Sequence, residues 1–244
     1  MTTDALSSDV PEISHDHPDV TGGWLRPAVF GAMDGLVSNL ALIAGVAGGT
    51  KDATGTTAVV LAGLAGLAAG AFSMAAGEYT SVASQSEAAQ REIDKERREI
   101  IANPLAEASE LAEMYVAKGI DPVLAAEVSR QIHADVENAV AVHAREELGV
   151  DPDDLPSPMV AAGSSFVSFA VGAAIPVLPY LLGAGSLWPG LVVTLIALFL
   201  CGAVVTQVTS RSWWYGGLRQ MLLGAAAAGL TYVFGALVGG AGIG

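Results

Sequence analysis

The chain has 244 residues, 52% of them hydrophobic and 15% charged, with a mean hydropathy of +0.51. Soluble domains carry about 25% charged residues, so this composition argues against an ordinary soluble fold. The formal net charge of −14 argues against nucleic acid as a partner. The one cysteine, Cys201, excludes an internal disulfide and reads as a small core residue inside an apolar run.

Residues 1–23 contain Asp4, Asp9, Glu12, Asp16 and Asp19 and no Lys or Arg, the reverse of the basic start of a secretory signal. They are expected to form a disordered acidic tail. His15 and His17 in this tail could bind metal weakly as an H-x-H pair, but a solvated tail is the simpler reading.

Five apolar stretches then reach the roughly 20 residues that a bilayer span requires. They run from about Pro27 to Gly49, Thr56 to Tyr79, Met159 to Leu182, Leu187 to Thr209 and Met221 to Gly239. Glycine is frequent, at 29 residues, and alanine fills the same runs, as suits close approach of membrane helices. Pro176 and Pro179 predict a kinked or unwound far end for the third span.

A different composition separates the second and third spans. Residues 82–156 hold 17 Asp/Glu and 7 Lys/Arg, a local net charge of −10. They are rich in Ala, Glu, Leu and Arg, all good helix formers. Breaks at Asn103-Pro104 and at Gly119 to Pro122 predict helices over about 82–102, 105–118 and 122–148. No breaker separates the first of these from the second span, so one long helix is expected to leave the membrane and enter water.

The expected architecture is therefore an all-α integral membrane protein in four parts. These are the tail (1–23), the first two spans (24–81), a cytoplasmic three-helix acidic domain (82–156) and the last three spans (157–244). Orientation follows from the basic residues. With the N-terminus inside, Arg26, the seven cations of the insert, Arg211 and Arg219 all lie inside, and Lys51 alone lies outside.

Several side chains are costly where they stand. Asp34 lies within the first span with no Lys or Arg within a helical turn, and a carboxylate at a span's centre costs about 2.5–3.5 kcal/mol. Snorkelling toward the interface near Arg26 is one reading; binding of a cation or proton is the other. Ser38 at i+4 and Asn39 at i+5 bring further oxygens near that face. On the second span Met74 and Glu78 are spaced i, i+4 and share a face. A thioether beside a carboxylate suits a borderline transition metal better than Mg²⁺ or Ca²⁺, although a lone methionine is more often packing.

In the insert, Glu96 and Glu99 are spaced i, i+3, and Glu107 and Glu110 repeat that spacing. Glu92 and Glu96, Glu110 and Met114, and His143 and Glu147 are spaced i, i+4. Helical bundles build metal sites from such carboxylates, but a solvated surface with pairs to Lys95, Arg97 and Arg98 has the same spacing. No G-x-S-x-G or Walker loop is present, so the chain reads as no enzyme. A di-iron oxidase is disfavoured because neither His133 nor His143 follows a Glu by three residues. A membrane-anchored metal sensor or store is the remaining alternative to a transporter.

Four segments in order resemble the vacuolar iron transporter family: Asp34-Gly35-Leu36-Val37-Ser38, Ser73-Met74-Ala75-Ala76-Gly77-Glu78-Tyr79, Lys95-Glu96-Arg97-Arg98-Glu99 and Arg145-Glu146-Glu147-Leu148-Gly149. The resemblance covers about residues 24–240. It implies a homodimer with five spans per subunit, a path between subunits lined by the first helices, and a cytoplasmic three-helix metal domain. It further implies proton-coupled movement of Fe²⁺, and also of Mn²⁺, out of the cytosol. No prosthetic group is implied; the metal is substrate and is bound by the cytoplasmic domain. Asp34 and Met74 match the family's path ligands, and Glu78 belongs to the same motif. Glu96, Glu99, Glu107, Glu110 and Glu147 match the glutamates of its metal cluster. His143 stands where the family has a methionine ligand, which implies an altered metal preference. The Ala/Gly content and absence of a targeting peptide point to a bacterial plasma membrane; in a eukaryotic cell the membrane would be vacuolar.

Overall fold

The computed structural model describes residues 23–50, 55–206 and 211–241. The expectations for His15, His17, Lys51 and the end of the fourth span at Thr209 lie outside those residues. The regular elements among the described residues are all helical.

Helix α1 spans Leu25–Gly49, with Pro27 in the first turn, where a missing N–H costs no intrahelical bond. Helix α2 runs without interruption over Gly55–Ala102, 48 residues. At 1.5 Å per residue it is about 70 Å long, more than twice the roughly 30 Å hydrocarbon thickness of a bilayer. Its sequence changes from apolar to charged after Tyr79, so the expected single helix that outruns the span is present.

Helix α3 (Pro104–Ala117) starts on a proline, and Gly119, with φ +94°, allows the turn that ends it. Helix α4 covers Pro122–Ile132, and its N-cap Asp121 accepts from the amides of Val123 and Leu124. Helix α5 covers Val136–His143, and a π-helical turn follows over Ala144–Leu148. The expected third helix of the insert, 122–148, is thus two helices. The break has a local cause: the Asp135 carboxylate accepts from the amide of Asn138 at 2.9 Å and starts a new helix there. It also has a packing consequence. Helix α4 stays on α3, where Ser129 Oγ donates to the carbonyl of Ala108 at 2.6 Å. Helix α5 returns to α2, and Ile93, Ile100, Ala139, Val140 and Ala144 form a small buried core between them.

Helix α6 spans Pro158–Leu181, α7 spans Leu187–Val205 and α8 spans Trp213–Gly240. Of the kinked or unwound end expected for the third span, the unwound form is excluded: the helix continues through Pro176 and Pro179. Membrane helices carry proline where neighbours hold the interrupted backbone. The carbonyls left without a helical donor are those of Gly172 and Ile175, and the Asn39 amide of α1 braces α6 between them, donating to the carbonyl of Ala173 at 2.5 Å.

Helix α1 is the hub, packed on α2, α6, α7 and α8. Glycine permits two of these approaches. A Cβ on Gly35 would strike the Phe169 carbonyl of α6, and one on Gly235 of α8 would strike the Gly45 carbonyl of α1. The outer faces are apolar: Leu61, Phe72, Leu230 and Phe234 are all exposed, and only 11% of the most apolar window of α8 is buried. Surfaces of that kind belong in lipid. Trp24, Tyr79, Trp213, Trp214 and Tyr215 are exposed near the bundle end where α1 and α8 begin, as interfacial aromatics are.

Candidate metal centre

Among the described residues two groups of metal-competent side chains occur, one within the spans and one in the acidic insert. Within the spans, Asp34, Ser38 and Asn39 of α1 face Ser73 and Met74 of α2 across a cavity of about 250 Å³. Leu42, Gly66, Gly70 and Phe169 complete its lining, so among the described residues no cationic side chain borders it. At 1.5 Å per residue, Asp34 lies about 13 Å along the helix from Leu25, well inside the span. The Ser38 hydroxyl donates to the Asp34 carbonyl at 2.6 Å, leaving its oxygen lone pairs available. Asn39 has a structural task as well. Its amide nitrogen donates to the carbonyls of Gly63 at 3.1 Å and Ala173 at 2.5 Å, tying α1 to α2 and α6. Two carbonyl partners fix which amide atom is nitrogen, and Oδ1 is left buried with no partner among the described residues.

Glu78 does not line this cavity. It is buried, at 8% exposure, and accepts from Arg26 Nη2 at 3.0 Å. No local spacing signals this pairing, because Arg26 and Glu78 stand 52 residues apart in the chain. Packing α2 antiparallel to α1 brings Arg26 level with Glu78. Phe169, on a distant helix, also had no sequence signal for its place in the cavity wall.

In the insert, Glu96, His143 and Glu147 offer one ligand atom each, all within 4.8 Å of one another. His143 is fully buried; its Nδ1 lies 2.6 Å from Glu147 Oε1 and 3.0 Å from Glu96 Oε1. Glu96 Oε1, although this close to Nδ1, is buried and has no hydrogen-bond donor among the described residues. A buried carboxylate oxygen without a donor is expensive, and a cation relieves it. Burial pushes the Glu96 carboxyl up to about 7; the nearby charges of Glu147, Glu107 and Glu99 add to this, and His143 opposes it. Glu107 is also raised, by burial first and by Glu110 next. Glu99, Glu107 and Glu110 therefore bear on the same electrostatic centre while standing outside the close trio. Glu99 also pairs with Lys95 at 3.7 Å. Glu92 is exposed and Met114 half-buried, and neither belongs to the close trio.

His133 was missed. Its Nε2 lies 3.2 Å from Nε2 of His143, and its Nδ1 lies 2.9 Å from the carbonyl of Ser129. The turn between α4 and α5 destroys any helical spacing between the two histidines, so periodicity could not have joined them.

Five long apolar helices, a cation-free cavity holding a carboxylate and a thioether, and an acidic helical extension define an integral membrane protein, not a soluble enzyme. The chain belongs to the VIT family, whose model matches residues 25–236. It is similar to a protein of Acanthamoeba castellanii named vacuolar iron transporter, 38% identical over 216 residues, covering 86% of this chain and 77% of that one. Proteins named vacuolar iron transporter 1 from Oryza sativa subsp. japonica and Arabidopsis thaliana are each 30% identical, covering 89% of this chain and 88% of theirs. These relatives are named as transporters, in line with the reading that the chain is no enzyme. They are all eukaryotic and lend no support to a bacterial source.

Proposed function

We propose that the chain exports Fe²⁺, and also Mn²⁺, from the cytosol across its membrane in exchange for protons. The observation that carries this reading is the cavity between α1 and α2, where Asp34 and Met74 converge with no counter-cation. A carboxylate and a thioether form a donor pair for a borderline divalent ion. The names of the relatives support iron as the ion. The acidic insert would stand in the cytosol, where its negative potential raises the local concentration of cations. Glu96, Glu99, Glu107, Glu110, His143 and Glu147 would hold ions there before passage. A homodimer would set two copies of α1 face to face. Two Asp34 carboxylates near a common axis repel each other, and either a proton or a metal ion relieves that repulsion.

The test is Fe²⁺ uptake into proteoliposomes under an imposed pH gradient. Wild-type protein takes up Fe²⁺, uptake collapses without the gradient, and Asp34→Ala falls to the level of protein-free vesicles. Equal uptake by the variant would remove Asp34 from the path. A membrane-anchored sensor would instead bind metal through the insert and show no uptake in any of these arms.

A further inference from the structure

The two histidines of the insert constrain each other through their protons. A backbone carbonyl can only accept, so His133 Nδ1, 2.9 Å from the Ser129 carbonyl, carries a hydrogen. In a neutral imidazole the other nitrogen then bears a lone pair. His133 Nε2 is therefore an acceptor, and it lies 3.2 Å from His143 Nε2. Two facing lone pairs would repel, so His143 Nε2 carries the hydrogen and donates it. The ring planes are crossed at 86° with centroids 5.1 Å apart, so the rings approach nitrogen to nitrogen. His143 Nδ1 is thereby the nitrogen left for an ion: without metal its 2.6 Å contact with Glu147 Oε1 holds a shared proton, which an ion entering between Nδ1, Glu147 Oε1 and Glu96 Oε1 displaces. Glu96 Oε1, buried and without a hydrogen-bond donor among the described residues, also points to a cation at this spot.

We propose that His133 is a positioning residue that fixes His143 as an Nδ1 ligand, making the close trio a mixed nitrogen–oxygen site selective among divalent transition ions. This rests on the reading that the insert binds metal. A histidine ligand whose second nitrogen is held by a partner is the usual arrangement at metal sites, and losing that partner typically costs about 10–100-fold in affinity. Here the chain of contacts runs from ion to His143, to His133, to the Ser129 carbonyl, and so to the α3–α4 pair through the bond from Ser129 Oγ to Ala108. An imidazole in place of a purely carboxylate shell raises affinity for Co²⁺ relative to Mn²⁺.

The experiment uses the full chain in detergent with one equivalent of Mn²⁺ or Co²⁺ as probe. Pulsed EPR on bound Mn²⁺ should show nitrogen hyperfine coupling in the wild type and none in His143→Leu. His133→Phe should lower Co²⁺ affinity about tenfold, shrink the Co²⁺-over-Mn²⁺ preference and perturb the coupling. His133→Gln, whose side-chain oxygen can still accept from Nε2–H, should restore both. If His133→Phe leaves preference and coupling unchanged, or His133→Gln fares no better than Phe, the positioning role is overturned. Binding without nitrogen coupling in the wild type overturns this inference alone. No binding by the wild type overturns the metal-binding reading of the insert together with it.

Discussion

At the scale of single residues, the costly carboxylates meet three different fates. Asp34 borders a cavity without a cation, Glu78 is paired with Arg26, and Glu96 is buried among other acids and a histidine. The pairing of Glu78 predicts an asymmetry. Arg26→Ala leaves a bare carboxylate with 9% side-chain exposure, whereas Glu78→Gln leaves a mostly exposed guanidinium. The first should cost about 1–2 kcal/mol and the second less than about 1 kcal/mol in thermal unfolding in detergent. For Glu96, the folded chain holds the proton up to about pH 7, against 4.5 for an ordinary glutamate. Its contribution to stability is complete below about pH 4.5 and is lost as pH rises through 7. Metal-free protein should therefore have an insert that melts at lower temperature at pH 8 than at pH 6. Glu96→Gln should flatten that dependence, as circular dichroism melts would show.

At the scale of elements, the spans and the over-long second helix were legible because apolar runs and the absence of a breaker act locally. The division of the last insert helix was less so. The signal lies in Asp135, an N-cap residue three before Asn138, but it stands among strong helix formers with no Pro or Gly to mark a break. Asp135→Ala should cost about 1 kcal/mol of insert stability by loss of that cap. Proline left two outcomes open, and at Pro176 and Pro179 the unwound one yielded to packing among neighbouring helices. The α1–α8 contact gives a cleaner test. Gly235→Leu drives a side chain into the α1 backbone, while at Gly229 on the same helix, an exposed position, an added Cβ meets nothing within 4 Å. The former should lower the melting temperature by several degrees, an overpacking cost of about 1–3 kcal/mol, and Gly229→Leu should leave it nearly unchanged.

At the scale of the whole molecule, the acidic composition and its confinement to one insert could be read directly. The metal-competent geometry could not, since it depends on residues far apart in sequence. Spacing along α2 and α3 nominated Glu92 and Met114 together with Glu96, and only the fold separates them from the close trio. Residues 82–102 and the second span are one unbroken rod. Met74 and Glu96 are thus held about 33 Å apart along a common axis and, at 100° per residue, within about 40° of the same azimuth. The rod behaves as a driveshaft, in which added length is also added rotation. One alanine inserted after Ser84 would swing the acidic head about 100° around the shaft, whereas seven would return it to within about 20° while lifting it about 10 Å. Azimuth and reach can thus be varied separately in a single helix, and metal flux measured across that series would report which of the two the head must keep.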